Sequence, residues 1–201
     1  MDLTTAARVA AILIPGSTPT QQYSAVIAPF ITMVSGMIEN YLNRNITIGE
    51  YTEYFDVNLS DRVFRLRAYP VTSMSTVRYD TEQVWDSSTI ITPDQYRSPV
   101  YDPNGLLTLV AGRAVPLGFA ARALKVVYTG GMATNTANFI ANFPVIATIA
   151  DRMVAQYYVS RDVVVPIMQQ AQPPVLPPRP AYSDAYMKSL YRELDEYRRR
   201  I

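Results

Sequence analysis

The sequence contains neither cysteine nor histidine. Without cysteine, the chain cannot form disulfides, thiolate nucleophiles or sulfur-ligated metal sites, and its composition suits a reducing cytoplasm. Without histidine, it lacks the commonest general base and zinc ligand, so every Ser-His or Cys-His catalytic arrangement is excluded. Any hydrolytic chemistry would therefore depend on carboxylates alone.

Charge is also scarce. The formal net charge of +1 gives the chain no overall field that would recruit nucleic acid or an acidic substrate. No residue from Val9 to Ile38 is charged. Proline and polar residues at 15–22 interrupt this stretch, and the apolar part that follows is shorter than the roughly 20 residues that a bilayer needs. We expect neither a membrane span nor, after the acidic start at Asp2, a signal peptide.

Lysine is rare, with two residues against 16 arginines, and there are 15 tyrosines. Arginine and tyrosine are both enriched where protein surfaces meet, and the planar guanidinium binds carboxylates and aromatic faces. This bias indicates an interaction protein. A general preference for arginine codons, with aromatic residues in an ordinary core, explains the composition equally well.

Two long segments carry apolar residues at helical spacing, which predicts buried helices at 19–44 and 144–161. The first seam consists of Tyr23, Ile27, Phe30, Val34, Met37 and Tyr41. The second consists of Ile146, Ile149, Ala150, Met153, Val154 and Tyr157. We expect these helices to pack on each other, with a short alanine-rich helix at 3–13 before them.

The region between the helices has the two-residue alternation of β-strands. Segments 51–57 and 62–68 predict a hairpin around a turn at 58–61, and 74–79 and 121–129 predict further strands. Asp102-Pro103-Asn104-Gly105 has the residues of a type I turn, which predicts a second hairpin between 95–101 and 106–111. Trp85, the only tryptophan, is expected to continue the third strand, first as a core anchor and second as a subunit contact.

The C-terminal part begins with a charge-free, proline-rich stretch at 163–178, which predicts an extended arm. A final helix follows, with Tyr186, Leu190, Leu194, Tyr197 and Ile201 on one side. A helix of this length on a tether needs a surface to dock on, in its own chain or another. The predicted fold class is α+β: a small helical bundle with an inserted antiparallel β region (46–131) within a core of 1–162, and an arm at 163–201 that ends in a helix.

No catalytic or metal-binding constellation is evident in the sequence. Asp94, Asp102 and Asn104 lack the spacing of a calcium loop, and carboxylates in turns usually bind the local backbone. We therefore expect no cofactor and no enzymatic activity, with a hydrolase that uses Asp94 and Asp102 as the alternative. The basic run at 198–200 fits either a contact with DNA phosphates or an acidic partner, or a simple complement to the helix dipole.

The order of several segments resembles the head-to-tail connector proteins of tailed bacteriophages, also called adaptor or head completion proteins. The resemblance covers residues 26–158. The segments that carry it are a helix ending in Ile38-Glu39-Asn40-Tyr41-Leu42-Asn43-Arg44, Tyr51-Thr52-Glu53-Tyr54, Leu66-Arg67-Ala68-Tyr69-Pro70-Val71, Val126-Val127-Tyr128-Thr129-Gly130-Gly131, and a helix that opens at Pro144.

This resemblance implies a structural virion neck protein, assembled in the host cytoplasm as a ring, usually of twelve copies, beneath the portal. Such a ring extends the channel through which DNA passes without sequence-specific binding, and it presents a surface to the next neck, stopper or tail-terminator protein. A stopper or tail-terminator ring is the closest alternative.

The resemblance also assigns binding surfaces, because in this family a C-terminal segment often reaches into the portal. The residues predicted by position to bind portal are Arg179, Tyr182, Tyr186, Leu190, Tyr191, Leu194, Tyr197, Arg198, Arg199, Arg200 and Ile201. Apart from the resemblance, alternation places Arg65 and Arg67 together on the open face of their strand, which favours a solvated or subunit-facing surface over a nucleic-acid site. The residues predicted to contact a neighbouring subunit are Arg65, Arg67, Tyr69 and Trp85.

Overall fold

The chain folds into two compact units. The helical unit comprises Met1–Leu42 and Asn135–Arg199, and the sheet unit comprises Asn43–Thr134. The structure, a computed structural model, describes residues 1–13, 21–58, 62–100, 102, 104–110, 120–160 and 184–199.

Five helices make up the described part of the helical unit, and α4 lies at its centre because it contacts each of the other four. Their bounds are α1 Ala6–Leu13, α2 Gln21–Leu42, α3 Thr136–Asn142, α4 Pro144–Ser160 and α5 Asp184–Arg199. Apolar side chains are buried on several sides of α4, among them Ile146, Ile149 and Val154. The prediction that α2 packs on α4 is confirmed.

The buried side of α2 differs from the predicted seam by about one residue. Ile27 and Val34 are buried as expected, but the other buried apolar positions are Ile31, Ile38 and Leu42 instead of the predicted ones. Phe30, Met37 and Tyr41 are half-buried. Because α2 is apolar on most of its circumference, residue spacing alone could not fix which side faces α4.

The short helix α3 was not predicted from the sequence. Its N-terminus is capped by Asn135, whose side chain accepts a hydrogen bond from the Asn138 amide at 2.9 Å. Phe139 is buried and its ring lies 5.5 Å from that of Phe143. Seven residues are too few for a clear helical period, so only the cap could have indicated this helix.

One segment of α2 meets the length and composition of a membrane span. Ser24–Leu42 has a mean hydropathy of 1.3, and 33% of that window is buried within the protein. Among the described helices it is the only one that meets this test, and core helices of soluble proteins meet it too. It therefore supports no membrane assignment.

The sheet unit contains two three-stranded antiparallel sheets, with strand orders β1-β6-β3 and β2-β5-β4. The strands are β1 Gly49–Val57, β2 Val63–Arg65, β3 Val71–Tyr79, β4 Tyr96–Arg97, β5 Leu106–Leu109 and β6 Ala120–Gly130. One apolar core is shared by residues of both sheets, including Val57, Phe64, Leu107 and Leu124. The α+β class and the antiparallel β region inserted among helices are confirmed.

The predicted hairpin between 51–57 and 62–68 is wrong. β1 pairs with β6, Tyr54 lying opposite Lys125, whereas β2 belongs to the other sheet and pairs with β5. Alternation identifies the two faces of a strand but not its partner, and the eleven-residue β6 offers both of its edges. The predicted turn at 58–61 lies largely outside the described residues.

The second predicted hairpin is confirmed, since β4 and β5 pair antiparallel. The amide of Gly105 donates to the carbonyl oxygen of Asp102 at 3.2 Å, which closes the turn. The Asp102 carboxylate accepts from the Asn104 amide at 2.8 Å. Turn chemistry was informative here because each residue type had a defined backbone role.

The chain enters and leaves the sheet unit through two segments that are bonded to each other. Thr47 forms a parallel bridge with Ala133, and the Ile48 amide donates to the Ala133 carbonyl at 2.8 Å. The Met132 amide donates to the Ile46 carbonyl at 2.7 Å. The entry and exit of this inserted unit therefore lie side by side.

Candidate partner-binding surfaces

The last helix, α5, packs on α2 and α4 of its own chain. Leu190 and Leu194 are fully buried in this contact. The apolar side predicted for the final helix is thus used by the helical unit itself. These two leucines would meet a portal only if α5 left this position.

Tyr41 of α2 makes the principal polar and aromatic contacts with α5. Its hydroxyl donates to Asp195 Oδ1 at 2.7 Å, and its ring centroid lies 4.8 Å from that of Tyr191. The guanidinium carbon of Arg198 lies 5.2 Å from the Tyr41 ring centroid, a cation–π contact. The hydrogen bond to Asp195 raises the pKa of Tyr41, and burial raises it further. Sequence analysis missed this pairing because it joins residues far apart in the chain.

The opposite side of α5 faces solvent. Lys188, Arg192 and Glu196 are exposed there, and Arg198 is exposed near the end of the helix. Glu193 Oε2 lies 4.0 Å from Nη1 of Arg152 on α4. This is a surface ion pair, because both side chains are about half exposed. Of the other residues predicted to bind portal, Tyr186, Tyr191 and Tyr197 are half-buried. Arg199 ends α5, while Arg179, Tyr182, Arg200 and Ile201 lie outside the described residues.

Tyr69, predicted as a subunit contact, lies in the core of the sheet unit and is 1% exposed. The guanidinium carbon of Arg44 lies 3.7 Å from its ring centroid, and Arg44 Nη2 donates to the Tyr69 carbonyl. Burial lowers the pKa of Arg44 to about 10, so the side chain remains charged at neutral pH. The Tyr69 ring is therefore enclosed by its own chain.

Arg65 and Arg67, the other predicted subunit contacts near β2, are exposed. The Arg67 amide donates to Glu53 Oε1 at 3.0 Å, and Arg67 Nη2 donates to Asn43 Oδ1 at 3.1 Å. The same Glu53 oxygen accepts a hydrogen bond from the buried hydroxyl of Tyr128. Tyr128 in turn accepts from the Ala68 amide at 2.9 Å. This network ties β1 and β6 to the segment after β2.

Tyr128 gives the sheet unit a predictable response to alkaline pH. Burial raises its pKa, and the hydrogen bond to Glu53 raises it further. At neutral pH, Tyr128→Phe should lower the free energy of unfolding by about 1–3 kcal/mol, because the buried Ala68 amide loses its acceptor. Above the unfolded pKa of about 10, the wild type releases this proton only in its unfolded state, which lowers its free energy of unfolding. The difference in stability between the wild type and Tyr128→Phe should therefore shrink. Urea unfolding of both proteins near neutral pH and above pH ~10 measures this; an unchanged difference contradicts it.

An exposed aromatic and basic surface lies on the outer face of the β1-β6-β3 sheet. The Trp85 and Tyr54 ring centroids are 5.7 Å apart, and Lys125 Nζ lies 5.6 Å from the Trp85 ring. The guanidinium carbon of Arg122 lies 4.7 Å from the Tyr54 ring centroid, and Val84, next to Trp85 in the chain, is 68% exposed. We name these five residues the Trp85 surface. Tryptophan, tyrosine and arginine are the residue types that contribute most to protein interfaces.

The predictions that Trp85 anchors the core and continues β3 are both wrong. Trp85 is half-exposed and outside the strands, with a backbone φ of 59°; Gln83 and Arg122 also have positive φ, at 61° and 51°. The Asp80 carboxylate accepts from the Trp85 amide at 2.8 Å, and this bond lowers the pKa of Asp80. Positive φ angles at residues other than glycine recur at functional sites, but the residue pattern does not predict them.

The two candidate catalytic carboxylates have local partners. Asp94 accepts a hydrogen bond from the Thr92 hydroxyl at 2.5 Å, and Asp102 accepts from the amides of Asn104 and Leu106 at 2.8 and 3.4 Å. In the part of the chain that the structure describes, no group of three or more acidic side chains is placed to hold a metal ion. The geometry thus gives Asp94 and Asp102 roles in loop and turn structure.

Comparison with known proteins gives matches in structure but not in sequence. No protein-family model matches the chain, and no curated protein matches its sequence. A solved chain from the neck of an empty gene transfer agent (GTA) particle, computed with C6 symmetry, superposes with a TM-score of 0.56 at 14% identity, covering 94% of this chain and 87% of the other. A chain from the virion of the native GTA particle gives the same values.

A third match comes from the neck of the native GTA particle computed with C12 symmetry. Its TM-score is 0.51 at 13% identity, and it covers 85% of this chain and 82% of that one. At such low identity the likeness concerns the fold. This chain therefore has the fold of chains found in the neck and virion of GTA particles.

Proposed function

We propose that this protein is a structural component of a phage-like virion neck. It forms a ring beneath the portal, extends the DNA channel and joins the capsid to the tail. The observation that carries this proposal is the fold match to a GTA neck chain over 94% of the sequence. The order of segments that resembles head-to-tail connectors supports it independently of the superposition.

Ring assembly would also account for the apolar surface of the helical unit. Val26 and Met33 of α2 are each 42% exposed, and Val145 of α4 is 47% exposed. Neighbouring copies in a closed ring would cover such side chains. We assign Arg65, Arg67 and the Trp85 surface to subunit contacts, and we leave out Tyr69 because it is buried. Native mass measurement should show a ring of twelve copies, and Trp85→Ala should weaken it.

Portal binding is assigned to the arm and α5. Deleting residues 163–201 should abolish binding to the portal protein of the same particle, measured by co-sedimentation of the purified proteins. Deletion also uncovers the α5 contact on α2 and α4, so a second variant is needed. Replacing the arginines at 198–200 with alanine leaves Leu190 and Leu194 in place and should weaken binding at least tenfold. Undiminished binding by both variants would overturn this assignment.

A stopper or tail-terminator ring is the second candidate function, since such a protein would also be a non-enzymatic ring component of the virion. It predicts binding to the tail-tube protein instead of the portal. The same co-sedimentation experiment with tail-tube protein separates the two. A hydrolase dependent on Asp94 and Asp102 would lose activity in Asp94→Asn and Asp102→Asn variants.

A further inference from the structure

The contact that holds α5 on the helical unit is small. Two leucine side chains are fully buried in it, supported by the hydrogen bond between Tyr41 and Asp195 and by the tilted contact between the Tyr41 and Tyr191 rings. Burial of two leucines contributes about 3–6 kcal/mol, part of which is offset by the entropy of ordering the helix. With a net docking free energy of only a few kcal/mol, α5 can leave this contact and return to it.

The connection between α4 and α5 is far longer than this docking requires. Helices that pack as neighbours in a bundle are usually joined by about 2–8 residues. Here 23 residues (161–183) separate the end of α4 from the start of α5, and six of them are proline. A segment of this length can span up to about 80 Å, well beyond the roughly 25 Å length of α4 itself. The linker can thus deliver α5 to a site outside its own chain.

We propose that α5 of one copy docks on the α2 and α4 surface of a second copy of this chain. Among the described residues, the contacts that hold α5 at Tyr41 and at the leucine-binding surface are made by α2 and α4, so another copy can supply them unchanged. Exchange of an identical element therefore costs little, and the long linker removes the geometric barrier to it. Each exchanged helix links two copies without any additional binding surface.

The absence of cysteine makes this proposal testable with single thiols. Arg152→Cys on α4 and Glu193→Cys on α5 replace an exposed ion pair that contributes little to stability, so docking should persist. A short bis-maleimide can span the space that the two long side chains occupied. Full-length Arg152→Cys and Glu193→Cys proteins are mixed, incubated and cross-linked. We expect a covalent dimer in the mixture at least fivefold above that in either variant alone.

Two controls separate docking from collision. Arg192→Cys lies on the exposed side of α5, opposite the leucines at helical spacing, and should give only background dimer with Arg152→Cys. A chain carrying both Arg152→Cys and Glu193→Cys should cross-link efficiently, and part of its product should be covalent dimer. Dimer in equal amounts from Arg192→Cys and Glu193→Cys mixtures overturns the proposal. So does a double variant that cross-links only within its own chain, or one that does not cross-link.

A shortened linker provides an independent measurement. Removing residues 167–178 leaves a connection long enough for α5 to dock on its own helical unit but reduces its reach by half. When both single-thiol proteins carry the shortened linker, the amount of covalent dimer formed by their mixture should fall. Cross-linking within a shortened chain that carries both thiols should remain. Unchanged dimer would contradict the role assigned to linker length. The result is independent of portal binding, because the experiment uses only this chain.

Discussion

Replacing Gly130 with alanine is expected to destabilise the sheet unit by about 3 kcal/mol or more. A Cβ atom at this position would lie 2.0 Å from the carbonyl oxygen of Ala68 and 3.2 Å from that of Pro70. Both are backbone atoms, so no side-chain rotation relieves the overlap. Gly130 also pairs with Gly49 of β1 and Val71 of β3, so both neighbouring strands would have to shift. Urea unfolding followed by tyrosine and tryptophan fluorescence measures the loss.

Gly36→Ala is the matched control, because apart from adjoining residues and the local backbone of α2 no atom lies within 4 Å of the added methyl group. Alanine is favoured over glycine in helices, so this variant should be more stable by about 0.5–1 kcal/mol. The two substitutions therefore have opposite signs. A Gly130→Ala protein as stable as the wild type would show that β6 does not approach the 68–70 segment this closely.

Arg8→Ala is expected to cost the helical unit about 3 kcal/mol or more, because it leaves a buried carboxylate without its counter-ion. The Asp151 side chain is only 3% exposed, and Arg8 donates to its Oδ2 from Nε at 3.0 Å and from Nη2 at 2.7 Å. Thr4 donates to Oδ1 of the same carboxylate. This ion pair connects α1 to the central helix. Chemical denaturation of the purified variant tests the magnitude.

The next residue along α4 offers a comparison in the same helix. Arg152→Ala removes an ion pair whose two side chains are 46% and 48% exposed, so its cost should stay below about 1 kcal/mol. Adding Asp151→Asn to Arg8→Ala removes the buried charge itself and should recover part of the loss. Equal effects of Arg8→Ala and Arg152→Ala would contradict the burial argument.

Much of the fold was predictable because local chemistry determined it. The turn at 102–105 specified its own hairpin, and α4 began at Pro144 as its residues required. Strand partners were not predictable in this way. β1 and β2 each had the right alternation, yet they do not pair with each other, because β1 pairs with β6, more than 60 residues further on, and β2 pairs with β5.

The candidate surfaces show the same limit. The apolar side of α5 was identified from its spacing, but the sequence left open whether its own chain or another would cover it, and the structure shows α2 and α4 doing so. Trp85, the only tryptophan, and Tyr69 were both predicted as subunit contacts. Only three-dimensional placement separates the half-exposed Trp85 from the enclosed Tyr69, because side-chain type does not determine burial for these amphipathic residues.

Because the segments that enter and leave the sheet unit are hydrogen-bonded to each other, the polypeptide between them can be replaced or extended at this place. Since residues 46–48 and 132–133 are hydrogen-bonded to each other, the two ends of the intervening polypeptide stay together whatever lies between them. Insertions and replacements succeed where the ends are close and the joint is self-contained. Over evolutionary time, the region between these segments can diverge or be exchanged for another while the surrounding helices keep their own architecture.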